Sequence, residues 1–277
     1  MNPVHVRAQL ARFLEEDLGH VPYASSDPAA SAECRIEAQE TGIMCGGDLL
    51  VPLFALATPD GWTRPERLGG VAEGAQFGTG AIIAHLRLHP EALRHGIRTA
   101  LNLLQHLCGV ATRTRELASR LAGGRCTLLD TRKTTPGLRV FEKYAARVGG
   151  ARNHRFGRYD GVMLKKEDIA LAGGIRQAID AAASEAAHLT AIEVEVETLD
   201  DLTTVLFDGR ARHVMLDNMT PHQVNQAVAM TGGKLVLEAS GISPDDLEEY
   251  AATGVPFIST SAMIATARKI KLHLRVG

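Results

Sequence analysis

Six short apolar runs in the second half of this 277-residue chain each end in side chains that can carry or bind charge. CTLLD closes on Asp130 and continues into Thr131, Arg132 and Lys133; GVMLKK closes on Lys165 and Lys166; AIEVEVE carries Glu195 near its end. HVMLDN closes on Asp217 and Asn218, KLVLEAS on Glu238 and Ser240, and FISTS on Ser259, Thr260 and Ser261. One group is cationic: Arg132 and Lys133, His154 and Arg155 in the ARNHRFGR segment, and Lys165. Such a set specifies an anionic ligand, and arginine in particular grips carboxylates and phosphates through paired hydrogen bonds. Solvated surface charge is the ordinary reading of Arg152 and Arg158, but it fits Arg132 and Lys133 poorly. They directly follow an apolar run and precede Pro136-Gly137.

The second group is acidic. Side chains alternate along a strand, so Ile192, Val194 and Val196 share one face while Glu193, Glu195 and Glu197 share the other. A carboxylate turned into a core is costly unless a cation or metal meets it. For Glu193 and Glu197 the expected partners are lysines and arginines at a solvated rim. For Glu195 and Asp217, at the ends of neighbouring strands, the expectation is a ligand- or metal-binding role. The small, hydroxyl-rich ends at Ser240-Gly241 and Ser261-Ala262 suit a phosphate held by backbone N–H groups, although Ser and Gly also cap helices generally.

These residues need a scaffold that gathers strand ends. From residue 126 onward the apolar runs alternate with helix-length segments, which implies parallel strands, and six of them favour an α/β barrel or open barrel over a doubly wound sheet. In a barrel the site lies at the carboxyl ends of the strands, where the polar residues fall. Upstream, β-prone runs at Cys34–Ala38 and Ala81–Arg87, broken by GIMCGG, TPDGW and EGAQFGTG, read as a small α+β domain of antiparallel strands. A long helix over Pro90–Leu121, with Leu101, Leu104, Leu107 and Val110 at helical spacing, links the two regions. Val6, Leu10, Phe13 and Leu14 predict an amphipathic surface helix at the N-terminus.

Composition narrows the class. A net charge of −2, from 30 basic and 32 acidic residues, leaves no global field for nucleic acid or a membrane surface. Cys34, Cys45, Cys108 and Cys126 form neither a CxxC pair nor a zinc spacing and read as reduced, buried thiols. No apolar run approaches the ~18 residues that span a bilayer, so a soluble cytoplasmic protein is expected.

The strings DTRKTTPG (130–137), NHR, EVEVE and LDNM, with EDLG (16–19), RTALNLLQ (98–105), CGVATRTR, LEASG (237–241) and TGVPFIS (253–259), resemble the quinolinate phosphoribosyltransferases. DTRKTTPG is the specific one; EVEVE or LEASG alone would mean little. The resemblance implies an N-terminal α+β domain over 1–105, completed by a final strand in 268–277, and an incomplete parallel α/β barrel over 106–267. It implies transfer of the phosphoribosyl group of phosphoribosyl pyrophosphate (PRPP) to a pyridine carboxylate, with Mg²⁺ as cofactor, and a homodimer with shared sites into which Arg98 reaches from the neighbour. It further implies that Arg132, His154, Arg155 and Lys165 hold the acid and that Lys133 lies between acid and pyrophosphate. Glu195 and Asp217 are then the acids that engage the ribose hydroxyls and Mg²⁺, and Ser240, Gly241, Ser261 and Ala262 belong to the loops around the 5-phosphate.

Several positions depart from the family pattern. His20, Val21 and Pro22 replace the Gly-Asp after EDLG, and Ile97 replaces the glutamate before the crossing arginine. Lys165-Lys166-Glu167-Asp168 stands where Lys-Asp-Asn-His is usual, a single Gly241 is followed by Ile242, and Thr260-Ser261-Ala262 replaces Val-Gly-Ala. A paralogue acting on another heteroaromatic carboxylate is therefore the main alternative. A Schiff-base aldolase using Lys165, and a barrel that binds a phosphorylated metabolite without turnover, are the readings from other classes.

Overall fold

A computed structural model describes residues 1–19 and 27–277. His20, Val21 and Pro22 therefore lie outside the described residues. In chain order the elements are α1 (Pro3–Leu18), β1 (Ala32–Ala38), β2 (Gly42–Ile43), α2 (Leu50–Leu56), β3 (Glu66–Gly69), β4 (Gln76–Phe77), β5 (Ile82–Leu88) and α3 (Pro90–Ser119). There follow β6 (Thr127–Leu129), α4 (Arg139–Gly149), β7 (Val162–Leu164), α5 (Lys166–Ala172), α6 (Ile175–Glu185), β8 (Ile192–Val196), α7 (Leu199–Asp208) and β9 (His213–Asp217). The chain ends with α8 (Pro221–Thr231), β10 (Val236–Ser240), α9 (Leu247–Ala252), β11 (Phe257–Ser259), α10 (Ala262–Ala265) and β12 (Leu272–Val276).

Two compact units result. The first comprises Met1–Arg115, Thr135–Gly149 and Thr266–Gly277. Its main sheet runs β12-β1-β5-β3, with β1 antiparallel to both β5 and β12. The division from the second unit falls inside α3, at Arg115/Glu116 rather than at 105/106, and α4 groups with the first unit. A helix as long as α3 shows one unbroken apolar period, which carries no mark of a unit boundary. In α1, Asn2 accepts hydrogen bonds from the Val4 and His5 N–H groups, Pro3 opens the first turn, and Val6, Leu10 and Leu14 are buried. Phe13 meets Phe141 at a ring-centroid distance of 5.7 Å.

The second unit comprises Glu116–Thr134 and Gly150–Ala265. Six parallel strands run in the order β6-β11-β10-β9-β8-β7, so the edges are β6 and β7 and the sheet does not close on itself. Arg152 adds an isolated parallel bridge to Leu129 on the β6 edge. The result is an incomplete parallel α/β barrel. Each strand is short because its apolar alternation ends quickly: Ile192, Val194 and Val196 are buried on β8, as are Val214 and Leu216 on β9. Caps then start the helices. Thr220 and Gln223 cap α8 reciprocally with Pro221 in the first turn, and Thr198 accepts the Asp201 N–H at the start of α7. Register sets the site: Leu164 pairs with Val194, Glu195 with Met215, and Asp217 with Ser240, so successive strands end at one level.

Candidate active site

A cavity of about 320 Å³ opens at the carboxyl ends of these strands. Its walls include Arg132, Lys133, His154, Arg155, Lys165, Glu195, Asp217, Ser240 and Gly241. Thus most of the residues picked out in the sequence meet in one place. Arg98 lies elsewhere, exposed on α3 in the first unit, and Ser261 and Ala262 are not among the lining residues. Instead the Ala262 N–H donates to Thr260 Oγ1 at 3.1 Å, so this stretch starts the short helix α10.

The cationic half is held from below. Asp130, fully buried, accepts hydrogen bonds from Asn153 Nδ2 (2.6 Å) and from the His154 N–H (2.8 Å), which fixes the NHR segment beside the strand that delivers Arg132. Arg155 donates through Nη1 to the Gly161 carbonyl at 2.8 Å. The Nε atoms of Arg132 and Arg155 are buried and make no hydrogen bond. Burial, and next the like charge of Arg132, lower the affinity of the Arg155 guanidinium for its proton. Two adjacent, partly desolvated guanidinium groups with unsatisfied donors are the physical signature of a site for a planar anion.

At the end of the edge strand β7, Lys165 Nζ is in close ion-pair contact with Glu195 on β8, which is 8% exposed. Asp217 accepts from Asn218 Nδ2 at 2.7 Å. Asn218 has φ 54, the one positive-φ non-glycine among the described residues, and its N–H donates to the Ser240 carbonyl at 3.1 Å. Beside it Gly241 has φ 78, and a Cβ there would stand 2.2 Å from Asn218 Oδ1. Only glycine fits that approach.

Three differences from the sequence reading carry chemistry. His154 is less a free cation than expected: its Nε2 is 2.9 Å from Glu193 Oε2 and 3.6 Å from Glu238 Oε2, and its Nδ1 accepts the Arg155 N–H at 2.7 Å. Glu193 accordingly pairs with a histidine rather than a rim lysine or arginine, whereas Glu197 does pair with Lys166, at 3.5 Å. Lys166 is the first residue of α5, where Asp168 accepts the Lys165 N–H at 3.0 Å, so only Lys165 remains at the cavity. Thr131, Met163, Met215, Asn218 and Ser259 also line the cavity. Met163 and Met215 were findable, since each stands two residues before a picked residue, Lys165 or Asp217, and so shares its strand face.

A family model described as "Quinolinate phosphoribosyl transferase, C-terminal domain" matches residues 110–275. The chain is 36% identical over 279 residues to a probable nicotinate-nucleotide pyrophosphorylase [carboxylating] of Bacillus subtilis, covering 100% of this chain and 95% of that one. This chain belongs to the quinolinate phosphoribosyltransferase family. A cyanobacterial relative of the same name, from Synechocystis, is 34% identical across 96% of this chain and 91% of its own length. The crystal structure of NadC from Streptococcus pyogenes superposes with a TM-score of 0.90 at 31% identity, covering 100% of this chain and 98% of that one. No helix among the described residues is long and apolar enough to cross a membrane.

Proposed function

We propose that this protein transfers the phosphoribosyl group of PRPP to quinolinate and releases pyrophosphate and CO₂, giving nicotinate mononucleotide for NAD biosynthesis. The observation that carries this reading is the cavity itself: Arg132 and Arg155, with buried, unsatisfied Nε donors, form one wall beyond β6, and the carboxylates Glu195 and Asp217 on β8 and β9 form the other. A dianionic heteroaromatic acid suits the first wall and a ribose ring the second. Arg132 and Arg155 bind the ring carboxylates with Lys165, and Lys133, exposed at the rim, reaches toward the pyrophosphate. Glu195 and Asp217 accept hydrogen bonds from the ribose hydroxyls and offset the positive charge that develops at the anomeric carbon as the ring nitrogen attacks. The adduct's quaternary nitrogen then accepts the electron pair left when the adjacent carboxylate departs as CO₂. Asn218, Ser240 and Gly241 shape the ribose side of the cavity. Ser261 and Ala262 act through the course of the loop toward the 5-phosphate.

Glu195 and Asp217 offer hard oxygen donors that fit Mg²⁺ together with substrate oxygens. When bound, Mg²⁺ supplies positive charge at the departing pyrophosphate. The working form in this proposal is a cytoplasmic homodimer in which the partner contributes Arg98, whose exposed position on α3 supports the assignment. An aldolase role for Lys165 is disfavoured by its ion pair with Glu195, the reverse of the cation-flanked setting that frees a nucleophilic amine.

The test is to incubate the purified protein with quinolinate, PRPP and Mg²⁺, following nicotinate mononucleotide and CO₂, with nicotinate in parallel. Product from quinolinate alone is the expected result. Pyrophosphate release only with other heteroaromatic acids would make this a specialised paralogue.

A further inference from the structure

Beneath the mouth cavity the barrel interior holds a cluster that the reaction scheme leaves unused. His154 sits at its top and lines the mouth; Glu193 and Glu238 lie below it and, with His154, line a second cavity of about 400 Å³. That second cavity also takes in the strand-start residues Val162, Val236 and Phe257, and so faces the amino ends of the strands. His154 is held at three points, two of them on the ring. Its own backbone N–H donates to Asp130 at 2.8 Å, its Nδ1 accepts the Arg155 N–H at 2.7 Å, and its Nε2 stands 2.9 Å from Glu193 Oε2.

An imidazole nitrogen that accepts an N–H carries no proton. The single ring proton is therefore on Nε2 and is donated to Glu193. We propose that Glu193 is a positioning residue that locks His154 as the neutral Nε2–H tautomer, so that His154 meets the heteroaromatic acid through its ring carbons and leaves anion recognition to Arg132, Arg155 and the lysines. This rests on the phosphoribosyl-transfer reading for its substrate, but not for the tautomer. Glu238 completes the device. It is 5% exposed, its Oε1 has no hydrogen-bond partner, and burial together with the charge of Glu193 raises its carboxyl to about 7, so one negative charge dominates the cluster.

A cation site is the competing reading. The ligand-type atoms of His154, Glu193 and Glu238 lie within 4.8 Å of one another, and two of the separations bracket the ~3.3 Å edge of a tetrahedral zinc site. Metal on Nε2 would require the ring proton on Nδ1, where the Arg155 N–H already points. The hydrogen bond excludes that arrangement.

The measurement is a long-range ¹H–¹⁵N correlation spectrum of the full protein labelled at histidine, with the His154 signals assigned by their loss in His154→Gln. A protonated Nε2 beside an unprotonated Nδ1 is expected at neutral pH. A protonated Nδ1, in either the other tautomer or the imidazolium, would overturn the proposal. In turnover, Glu193→Leu is expected to raise KM for quinolinate roughly tenfold, the loss of one charge-assisted hydrogen bond, with KM for PRPP and kcat unchanged. Glu193→Gln, which keeps an acceptor oxygen, recovers most of that loss. Equal damage from Leu and Gln, or loss of kcat in both, would refute positioning. If the wild-type protein makes no nicotinate mononucleotide, the functional reading fails, while the spectrum still decides the tautomer.

Discussion

Gly241→Ala is the substitution whose effect follows most directly from geometry. At φ 78 an L-residue carries left-handed strain, worth about 1–2 kcal/mol. The added Cβ would also lie 2.2 Å from Asn218 Oδ1, so the Asn218 side chain must move. That side chain donates to Asp217 Oδ2 at 2.7 Å, and moving it removes a hydrogen bond from the carboxylate assigned to the ribose. The loss is about 1 kcal/mol, or roughly fivefold in KM for PRPP. Asn218 itself has φ 54, so Asn218→Gly is compatible with the backbone and isolates the side chain. It too should raise KM for PRPP about fivefold. Both substitutions then act through one hydrogen bond, and the double variant should stay near fivefold instead of multiplying to about 25-fold. Steady-state kinetics in PRPP for the four proteins, with urea unfolding to register the separate strain cost, complete the cycle. Multiplicative KM effects would show that Gly241 does not act through Asn218, and the account of this wall would fail.

Arg132→Lys and Arg155→Lys keep the charge but lose the planar fork, so each should raise KM for quinolinate by about tenfold or more and leave KM for PRPP nearly unchanged; equal effects on both substrates would refute the division of the cavity into two walls. Glu142 is fully buried, and although burial alone would raise its carboxyl, donation from His106 and from the Thr135 N–H outweighs it and holds the group below the ordinary range. Its stabilisation is thus present above the unfolded carboxyl value, ~4.3, and is lost as pH falls through the lowered folded value, so wild-type urea midpoints should drop in acid more steeply than those of Glu142→Gln. Glu238 behaves oppositely: raised to about 7, it binds a proton in the native state that the unfolded chain has released, so stability declines from ~pH 4.5 to ~pH 7. Glu238→Gln should therefore gain about 2 kcal/mol relative to wild type between pH 5 and pH 8, and a pH-independent difference would contradict the burial assigned to this carboxyl.

The legible parts of this protein were those governed by short-range alternation. The six barrel strands fall within the six apolar runs, and the strand-end rule leads from those runs to Arg132, Lys165, Glu195 and Asp217. Long-range pairing was not legible. Nothing near His154 in the chain announces Glu193 or Glu238, which lie on β8 and β10 and reach it only once the strands are assembled side by side in the sheet. The same limit hid the unit boundary within α3 and the role of Asp130, which reads in sequence as a strand-end acid but is spent on holding Asn153 and the His154 backbone.

Four of the departures from the family pattern, at Lys166, Asp168, Ile242 and Thr260, have local tasks that leave the cationic groups of the cavity untouched. Asp168 caps α5 by accepting the Lys165 N–H, and Lys166 turns away to pair with Glu197. Thr260 is buried and accepts the Ala262 N–H, which supplies through a side chain what starts α10. Ile242, 7% exposed, contributes to the core directly after the Gly241 turn. Each change therefore trades one way of starting or anchoring a segment for another, at positions outside the lining of the mouth cavity. Arg132, Lys133, Arg155, Lys165, Glu195 and Asp217, which do line it, are the groups a dianionic acid and a phosphorylated ribose would have to meet. The altered loops are therefore compatible with quinolinate as the acceptor, because the charged groups that line the cavity are kept.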